Sequence, residues 1–204
     1  PVTVEQAIGD LPPRTGLLST RNRSGLTDLA RTELLAFLEA NQRKWEAALY
    51  PSIVERLRSG LRDGSVGVRH LSAKPLPVEL KEWIEDPSLS PEGVPNHEPR
   101  GHRVDDLARY LFAATFAEMR GRSPKIQDFP DFLRPAHQNI LAASEPSSVP
   151  FADRFRVQLA NKPACTITSH ISKDGHYYIH YDPVQYRSLS VREAARIQTF
   201  PDNY

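Results

Sequence analysis

Cys165 and a set of histidines are the residues of this 204-residue sequence that could act as a nucleophile or as metal ligands. A catalytic thiolate needs a partly exposed setting with positive charge nearby. Cys165 instead follows Ala164 in a run that is typical of a strand, and this favours the role of a small packed side chain. Because it is the single cysteine, no disulfide can form within the chain, as is typical of a cytosolic protein.

The potential metal ligands are histidines and one carboxylate, in two groups: His97 and His102, then His170, His176, His180 and Asp174. In a strand, His176 and His180 would share one face, so a metal site there is conceivable. The spacing matches no standard zinc pattern, and no ordered carboxylates follow Asn96-His97 as a histidine–metal nuclease would require. We therefore predict that the chain binds no metal.

Polar and basic side chains offer a different chemistry, the binding of nucleic acid. A threonine hydroxyl at a strand edge can bond a phosphate oxygen, and short polar groups in the next turn can reach base edges. The predicted contact residues are Thr166, Ser169, His170, Lys173, Arg154, Arg156, Arg187 and Arg192. By composition alone, an ordinary polar hairpin accounts for the same turn residues.

The elements that would position these residues change character along the chain. Apolar residues at helical spacing predict helices after Thr3, at about 27–49, from Pro51, from about Val78 and at 103–120. Alternation at 154–158 and β-rich runs at 165–171 and 176–181, separated by an Asp-Gly turn, predict an antiparallel hairpin. The 18 prolines indicate many loops between these elements.

We therefore expect an α+β fold, with a mainly helical N-terminal part, a small antiparallel β-hairpin or sheet region and a short C-terminal helix. The expected boundaries are 1–150 for the helical and loop-rich part, 151–186 for the β-rich core and 187–204 for the C-terminal helix. No apolar run is long enough to cross a membrane, and the net charge of +1 does not by itself indicate a nucleic-acid partner.

The C-terminal helix has the clearest local signals. Ser190 and Glu193 fit a capping box, and Pro201 ends the helical run. Arg192 and Arg196, four residues apart, project from one side. Read alone, the stretch predicts a short surface helix with a solvated charged face.

The same stretch resembles a known family. Residues 187–202 read Arg-Ser-Leu-Ser-Val-Arg-Glu-Ala-Ala-Arg-Ile-Gln-Thr-Phe-Pro-Asp. They are similar to the ninth conserved motif of DNA (cytosine-5) methyltransferases, with Ser190 replacing the usual threonine. Pro163-x-x-Thr166-Ile167 also resembles the family's Pro-x-x-Thr-(Ile/Leu/Val) element, whose threonine lies against the DNA backbone beside the flipped cytosine. The Val2–Pro12 phrase resembles the segment after the eighth motif.

The resemblance implies double-stranded DNA as a partner, and methyl transfer from S-adenosylmethionine to carbon 5 of a cytosine turned out of the duplex. The sequence lacks the family's Phe-x-Gly-x-Gly cofactor loop, its Pro-Cys nucleophile and its Glu-Asn-Val element. We therefore expect the target-recognition portion of such an enzyme, in a bacterial or phage-type cytoplasm. Alone it would be inactive, bind no S-adenosylmethionine, and rely on a catalytic domain in the same chain or in a separate subunit.

A free-standing DNA-binding or protein-interaction module that descends from such a portion, without enzymatic activity, remains the alternative. Catalytic motifs in the flanking coding sequence or in a neighbouring gene would favour the methyltransferase.

Overall fold

The computed structural model describes residues 1–19, 26–47, 49–59, 75–89, 93–135, 152–173 and 175–204. Its helices and strands, in chain order, are α1 (Val4–Ile8), β1 (Leu17–Leu18), α2 (Leu26–Ala40), α3 (Tyr50–Ser59), α4 (Val78–Ile84), β2 (Gly101–His102), α5 (Val104–Arg120) and α6 (Val191–Ile197). Short 3₁₀ helices lie at Gln42–Lys44, Ile126–Asp128, Asp131–Leu133 and Ser169–Ser172. The expected Asp174 turn residue lies outside the described residues.

Helix α5 is the centre of the larger hydrophobic core. Its residues from Leu107 to Ala117 are all buried, and α2 and α3 both pack against it. Asp105 and Asp106 stand in its first turn, where acidic side chains favour the positive end of the helix dipole. Gly121 ends the helix in the left-handed conformation with φ 66°, so the helix predicted at 103–120 stops where expected.

The helix predicted at about 27–49 is shorter than expected. α2 ends at Ala40, and the Asn41 side-chain amide donates to the Phe37 carbonyl at 2.9 Å as the chain leaves the helix. Trp45 can then turn into the core, where its ring meets Phe132 edge-on at a centroid distance of 5.0 Å. Burial of this aromatic side chain therefore outweighs continuation of the helix.

The expected antiparallel β-hairpin was wrong. Among the described residues the fold is mostly helical, and its one sheet pairs β1 and β2 in parallel, with Leu17 opposite Gly101. Residues 165–168 are irregular, and 169–172 form a 3₁₀ helix. The stretch is rich in β-favouring residues as the prediction assumed, but side chains rather than a partner strand bond its backbone groups at 165, 166 and 168.

The remaining extended backbone converges on Ile179. This residue forms a parallel bridge with Val157 and an antiparallel bridge with Ser188. The Gln158 amide donates to the Ile179 carbonyl at 2.9 Å, and the Leu189 amide donates to the Tyr178 carbonyl at 2.8 Å. These short backbone contacts replace the predicted sheet and hold the C-terminal region together.

A second, smaller core joins the two ends of the chain. Val4, Ile8 and Leu11 pack with Tyr178 and Leu189, and α1 contacts α6. The helix predicted after Thr3 is present as α1, and a capping box between Thr3 and Gln6 begins it. Within the described ranges of the chain, no helix combines the length and apolar character that a membrane crossing requires.

Candidate nucleic-acid interface

The segment 166–173 carries four of the eight predicted contact residues on an exposed surface. Thr166, Ser169, His170 and Lys173 are all exposed, although the His170 ring lies edge-on to Tyr177 at 5.9 Å. The segment runs in irregular backbone to Thr168 and then turns through the 3₁₀ helix of residues 169–172. The structure therefore places these four side chains on one short exposed segment, three of them at the turn and Thr166 just before it.

A single buried phenol holds the first half of this segment. The Tyr178 oxygen accepts from the Thr168 amide at 2.9 Å and lies 3.0 Å from the Thr168 hydroxyl. It also donates to the Thr166 carbonyl at 3.3 Å. Because Tyr178 is only 3% exposed, it can fix the backbone while the Thr166 side chain faces solvent.

Gln158 holds the backbone in the same way at the residue before Thr166. Its side-chain oxygen accepts from the Cys165 amide at 3.1 Å, and its nitrogen donates to the Tyr177 carbonyl at 2.8 Å. The same nitrogen lies 3.2 Å from the Cys165 sulfur. Cys165 is half-buried and is bonded to a side-chain amide, which suits packing rather than nucleophilic attack.

Arg154 and Arg156 are both half-buried. The Arg156 guanidinium forms an ion pair with Asp153, and its amide donates to the His176 carbonyl at 3.0 Å. About two fifths of each side chain in this ion pair is exposed, so solvent screens the pair. Both arginines therefore keep part of their side chains open to solvent.

Arg187 is placed differently from the prediction, because its side chain is 1% exposed. Its two terminal nitrogens donate to the Glu193 carboxylate at 2.6 and 2.7 Å. Further bonds reach the Gln185 side-chain oxygen at 2.6 Å and the Arg14 carbonyl at 2.9 Å. This guanidinium is saturated inside the protein, and the geometry gives it a structural role instead of a phosphate contact.

Arg192 and Arg196 also point inward, so the expected solvated charged face of α6 was wrong. Arg192 is 2% exposed and donates to the Pro95 and Pro201 carbonyls at 3.0 and 2.8 Å. Arg196 is 4% exposed and forms a two-bond pair with Asp202 at 2.9 and 2.7 Å. The helix is exposed mainly at Val191 and is otherwise bound to its neighbours by its own charges.

The histidines are engaged with the backbone and hydroxyl groups around α6. His97 lies 2.9 Å from the Ser190 hydroxyl, and His102 lies 3.0 Å from the Ser188 hydroxyl. Burial and, after it, the nearby Arg187 charge together lower the pKa of His180 to about 4, although the Glu193 carboxylate opposes the shift. Over the described ranges, no group of three or more His, Cys, Asp or Glu side chains could hold a metal ion.

Comparison with known proteins identifies the family. Residues 97–204, more than half of the chain, match the model of the C-5 cytosine-specific DNA methylases. This chain belongs to that family. The matched range includes the 166–173 segment, α5, α6 and every predicted contact residue. No solved structure matches the chain.

Three bacterial proteins are among the similar sequences. The type II methyltransferase M.Bpa9945I of Bacillus paralicheniformis is 45% identical over 142 residues, which is 70% of this chain and 28% of that protein. The putative type II methyltransferase M.OihORF3336P of Oceanobacillus iheyensis is 40% identical over 58 residues, and M.AgeI of Thalassovita gelatinovora is 41% identical over 54 residues. Those two matches cover 28% and 26% of this chain and 12% of each relative. The chain thus matches less than a third of the length of each of these methyltransferases.

Sequence reasoning missed the residues that hold the 166–173 segment in place. Tyr178 and Gln158 looked like ordinary strand residues, and nothing in their spacing marks them as hydrogen-bond partners of 165–168. Glu193 was identified as a capping residue, and that capping box is confirmed. Its second role as partner of Arg187 could have been suspected from two opposite charges six residues apart around a helix start.

Proposed function

We propose that this chain is the target-recognition portion of a DNA (cytosine-5) methyltransferase, and that residues 187–202 are the ninth motif of that enzyme. One observation carries the proposal: the exposed polar segment 166–173 is held by the buried side chain of Tyr178, whose backbone is in turn bonded to Leu189 just before α6. A rigid anchor with short polar groups at its tip is suited to contact base edges in a groove. Thr166, on the same segment, is suited to a phosphate oxygen.

Arg154 and Arg156 complete the proposed interface as phosphate contacts. Both keep part of their side chains open to solvent, and the ion pair of Arg156 with Asp153 is itself partly exposed, whereas Arg187 and Arg192 are buried and fully engaged within the chain. Arg187 and Arg192 therefore act on DNA binding through the fold that they stabilise. In this assignment the residues that read sequence are Ser169, His170 and Lys173.

The methyl transfer itself is assigned to the regions of the relatives that this chain does not span. When bound there, S-adenosylmethionine would supply the methyl group. The residues described in this chain do not fit that cofactor. The Arg196 guanidinium that lines one surface cleft already pairs with Asp10 and Asp202, and the Tyr181 ring that lines another stacks on His180.

Binding of the 204-residue chain to a pool of random DNA duplexes tests the proposal. We expect repeated rounds of binding and sequencing to enrich one duplex sequence, and binding to weaken as salt is raised. Enrichment of no sequence would contradict recognition, and would favour the protein-interaction alternative if duplex DNA also failed to bind at low salt. A radiolabelled S-adenosylmethionine assay on the same chain should give no methylated DNA, and detectable methylation would overturn the assignment of the chemistry.

A further inference from the structure

Arg100 contacts the turn of residues 169–173, which the proposed function assigns to contacts with DNA bases. Its two terminal nitrogens donate to consecutive carbonyls, Ile171 at 2.8 Å and Ser172 at 2.8 Å. These carbonyls lie at the end of the 3₁₀ helix, where backbone acceptors have no partner within the helix. A guanidinium spanning both of them caps the turn with two charge-assisted bonds.

The backbone that carries Arg100 is itself fixed on both sides. His97 bonds the Ser190 hydroxyl, and its other ring nitrogen lies 2.7 Å from the Pro12 carbonyl. His102, in β2, lies 3.0 Å from the Ser188 hydroxyl. Arg100 therefore extends toward the turn from a strip of chain that is attached to the segment 188–190.

Gly175, where the chain leaves the turn, lies close to Ser188. Gly175 has φ 75°, and a β-carbon placed on it would lie 2.7 Å from the Ser188 β-carbon and 3.8 Å from an Arg100 terminal nitrogen. The turn is thus confined between Tyr178 at its start, Arg100 at its end and Ser188 where it returns. Of these three, Arg100 is the residue that contacts the stretch carrying Ser169, His170 and Lys173.

We infer that Arg100 is a positioning residue that sets the conformation of residues 169–173, and through it the preference among DNA sites. The inference rests on the proposed function for its effect on DNA. Its effect on the turn stands on the two hydrogen bonds alone. Lysine cannot replace it fully, because an ammonium group lacks the planar fork that reaches two neighbouring carbonyls at once.

The test compares Arg100→Ala and Arg100→Lys with Arg103→Ala. Arg103 is the matched control, because it stands three residues away, is 79% exposed, and pairs with Asp105 instead of the turn. In the 204-residue chain, hydrogen exchange is measured for the amides of Ile171 and Lys173, which bond the Thr168 and His170 carbonyls. The sequences selected from a random duplex pool are measured in parallel.

We expect Arg100→Ala to speed exchange at these two amides by roughly tenfold, with amides of α5 unchanged, since two charge-assisted bonds are lost. We also expect the selected sequence to broaden, with a smaller change for Arg100→Lys and none for Arg103→Ala. Local exchange equal to that of Arg103→Ala, or faster exchange throughout the chain, would overturn the positioning role. Faster local exchange with an unchanged selected sequence would overturn the link to specificity. If the unsubstituted chain selects no sequence, the proposed function fails, and the exchange result still decides whether Arg100 fixes the turn.

Discussion

Arg187 and Glu193 form a buried two-bond ion pair across the start of α6, with nitrogen–oxygen distances of 2.6 and 2.7 Å. The same Glu193 carboxylate accepts the Ser190 amide at 2.7 Å, so one side chain completes both the capping box and the ion pair. Burial alone would raise the pKa of Glu193, but the charge and hydrogen bonds of Arg187 outweigh burial and lower that pKa below its ordinary value. This pair connects α6 to Arg187, whose neighbour Ser188 forms the backbone bridge with Ile179.

Replacement of Arg187 by alanine should therefore act on stability. It would leave a buried carboxylate without its partner, and we expect the free energy of unfolding to fall by about 3–5 kcal/mol. Urea unfolding followed by circular dichroism measures this change. Lys81→Ala is the matched control, since Lys81 pairs with Glu85 on the exposed side of α4 and should cost less than about 1 kcal/mol. Equal losses for the two variants would contradict the structural role.

The stability of the chain should also depend on pH through His180. The folded-state pKa of about 4 lies below the ordinary 6.5, so the unfolded chain binds a proton first as the pH falls. The stabilising difference is fully present above pH 6.5 and is lost between pH 6.5 and about 4, by roughly 1.4 kcal/mol for each pH unit. The lowered pKa of Glu193 adds a loss below pH 4.5 in the same direction.

Urea midpoints measured from about pH 7.5 to 4.5 would check this dependence, because the range spans the loss expected from the shifted histidine. His180→Gln should show a shallower decline than the unsubstituted chain over the same range, because one proton-binding group is removed. A decline as steep in the variant as in the parent would mean that other groups cause it.

Two glycines with similar backbone angles should respond differently to alanine. Gly121 has φ 66°, and a β-carbon added to it would have no atom within 4 Å, so Gly121→Ala meets only the left-handed strain of about 1–2 kcal/mol. Gly175 has φ 75° and faces Ser188, so Gly175→Ala adds a steric clash of about 1–3 kcal/mol to the same strain. Thermal unfolding of both variants measures the difference. If Gly121→Ala lowered Tm as much as Gly175→Ala, the close approach to Ser188 would not matter.

Much of the helical region could be predicted from the sequence, because its signals are local. The α5 helix ends at its glycine, and Thr3 and Ser190 cap their helices, as their side chains predict. The β-hairpin could not be excluded in the same way. Whether the 165–168 backbone pairs with a strand or with Gln158 and Tyr178 depends on contacts between residues 7 to 10 positions apart, which no local pattern encodes.

The candidate site could also be predicted only in part from the sequence. Exposed polar residues at 166–173 follow from composition, and the structure places them on one short exposed segment. The burial of Arg187 and Arg192 was missed, since an arginine is exposed in most proteins and only tertiary contacts show that these two are enclosed. Arg187 is enclosed by Glu193 and by a carbonyl of the distant residue Arg14. Arg192 is enclosed by carbonyls of Pro95 and Pro201.

Cys165 should be dispensable for DNA binding. Its half-buried thiol packs beside Gln158, so Cys165→Ala should cost about 1 kcal/mol of stability and leave the affinity for duplex DNA unchanged. Urea unfolding and a fluorescence anisotropy titration with a selected duplex measure the two quantities. A large loss of affinity with an intact fold would mean that the thiol belongs to the interface.

The central claim is that the exposed turn reads the DNA site. Its most direct test is the site preference of the double variant His170→Ala, Lys173→Ala, measured by sequencing duplexes bound from a random pool. Lys44→Ala is the control, an exposed lysine in the helical region of the chain. We predict that the double variant loses discrimination of about 1–3 kcal/mol at each base that the lost side chains read, while the control keeps the parent's preference. A double variant that selects the same sequence as the parent, with the same discrimination, would contradict the account.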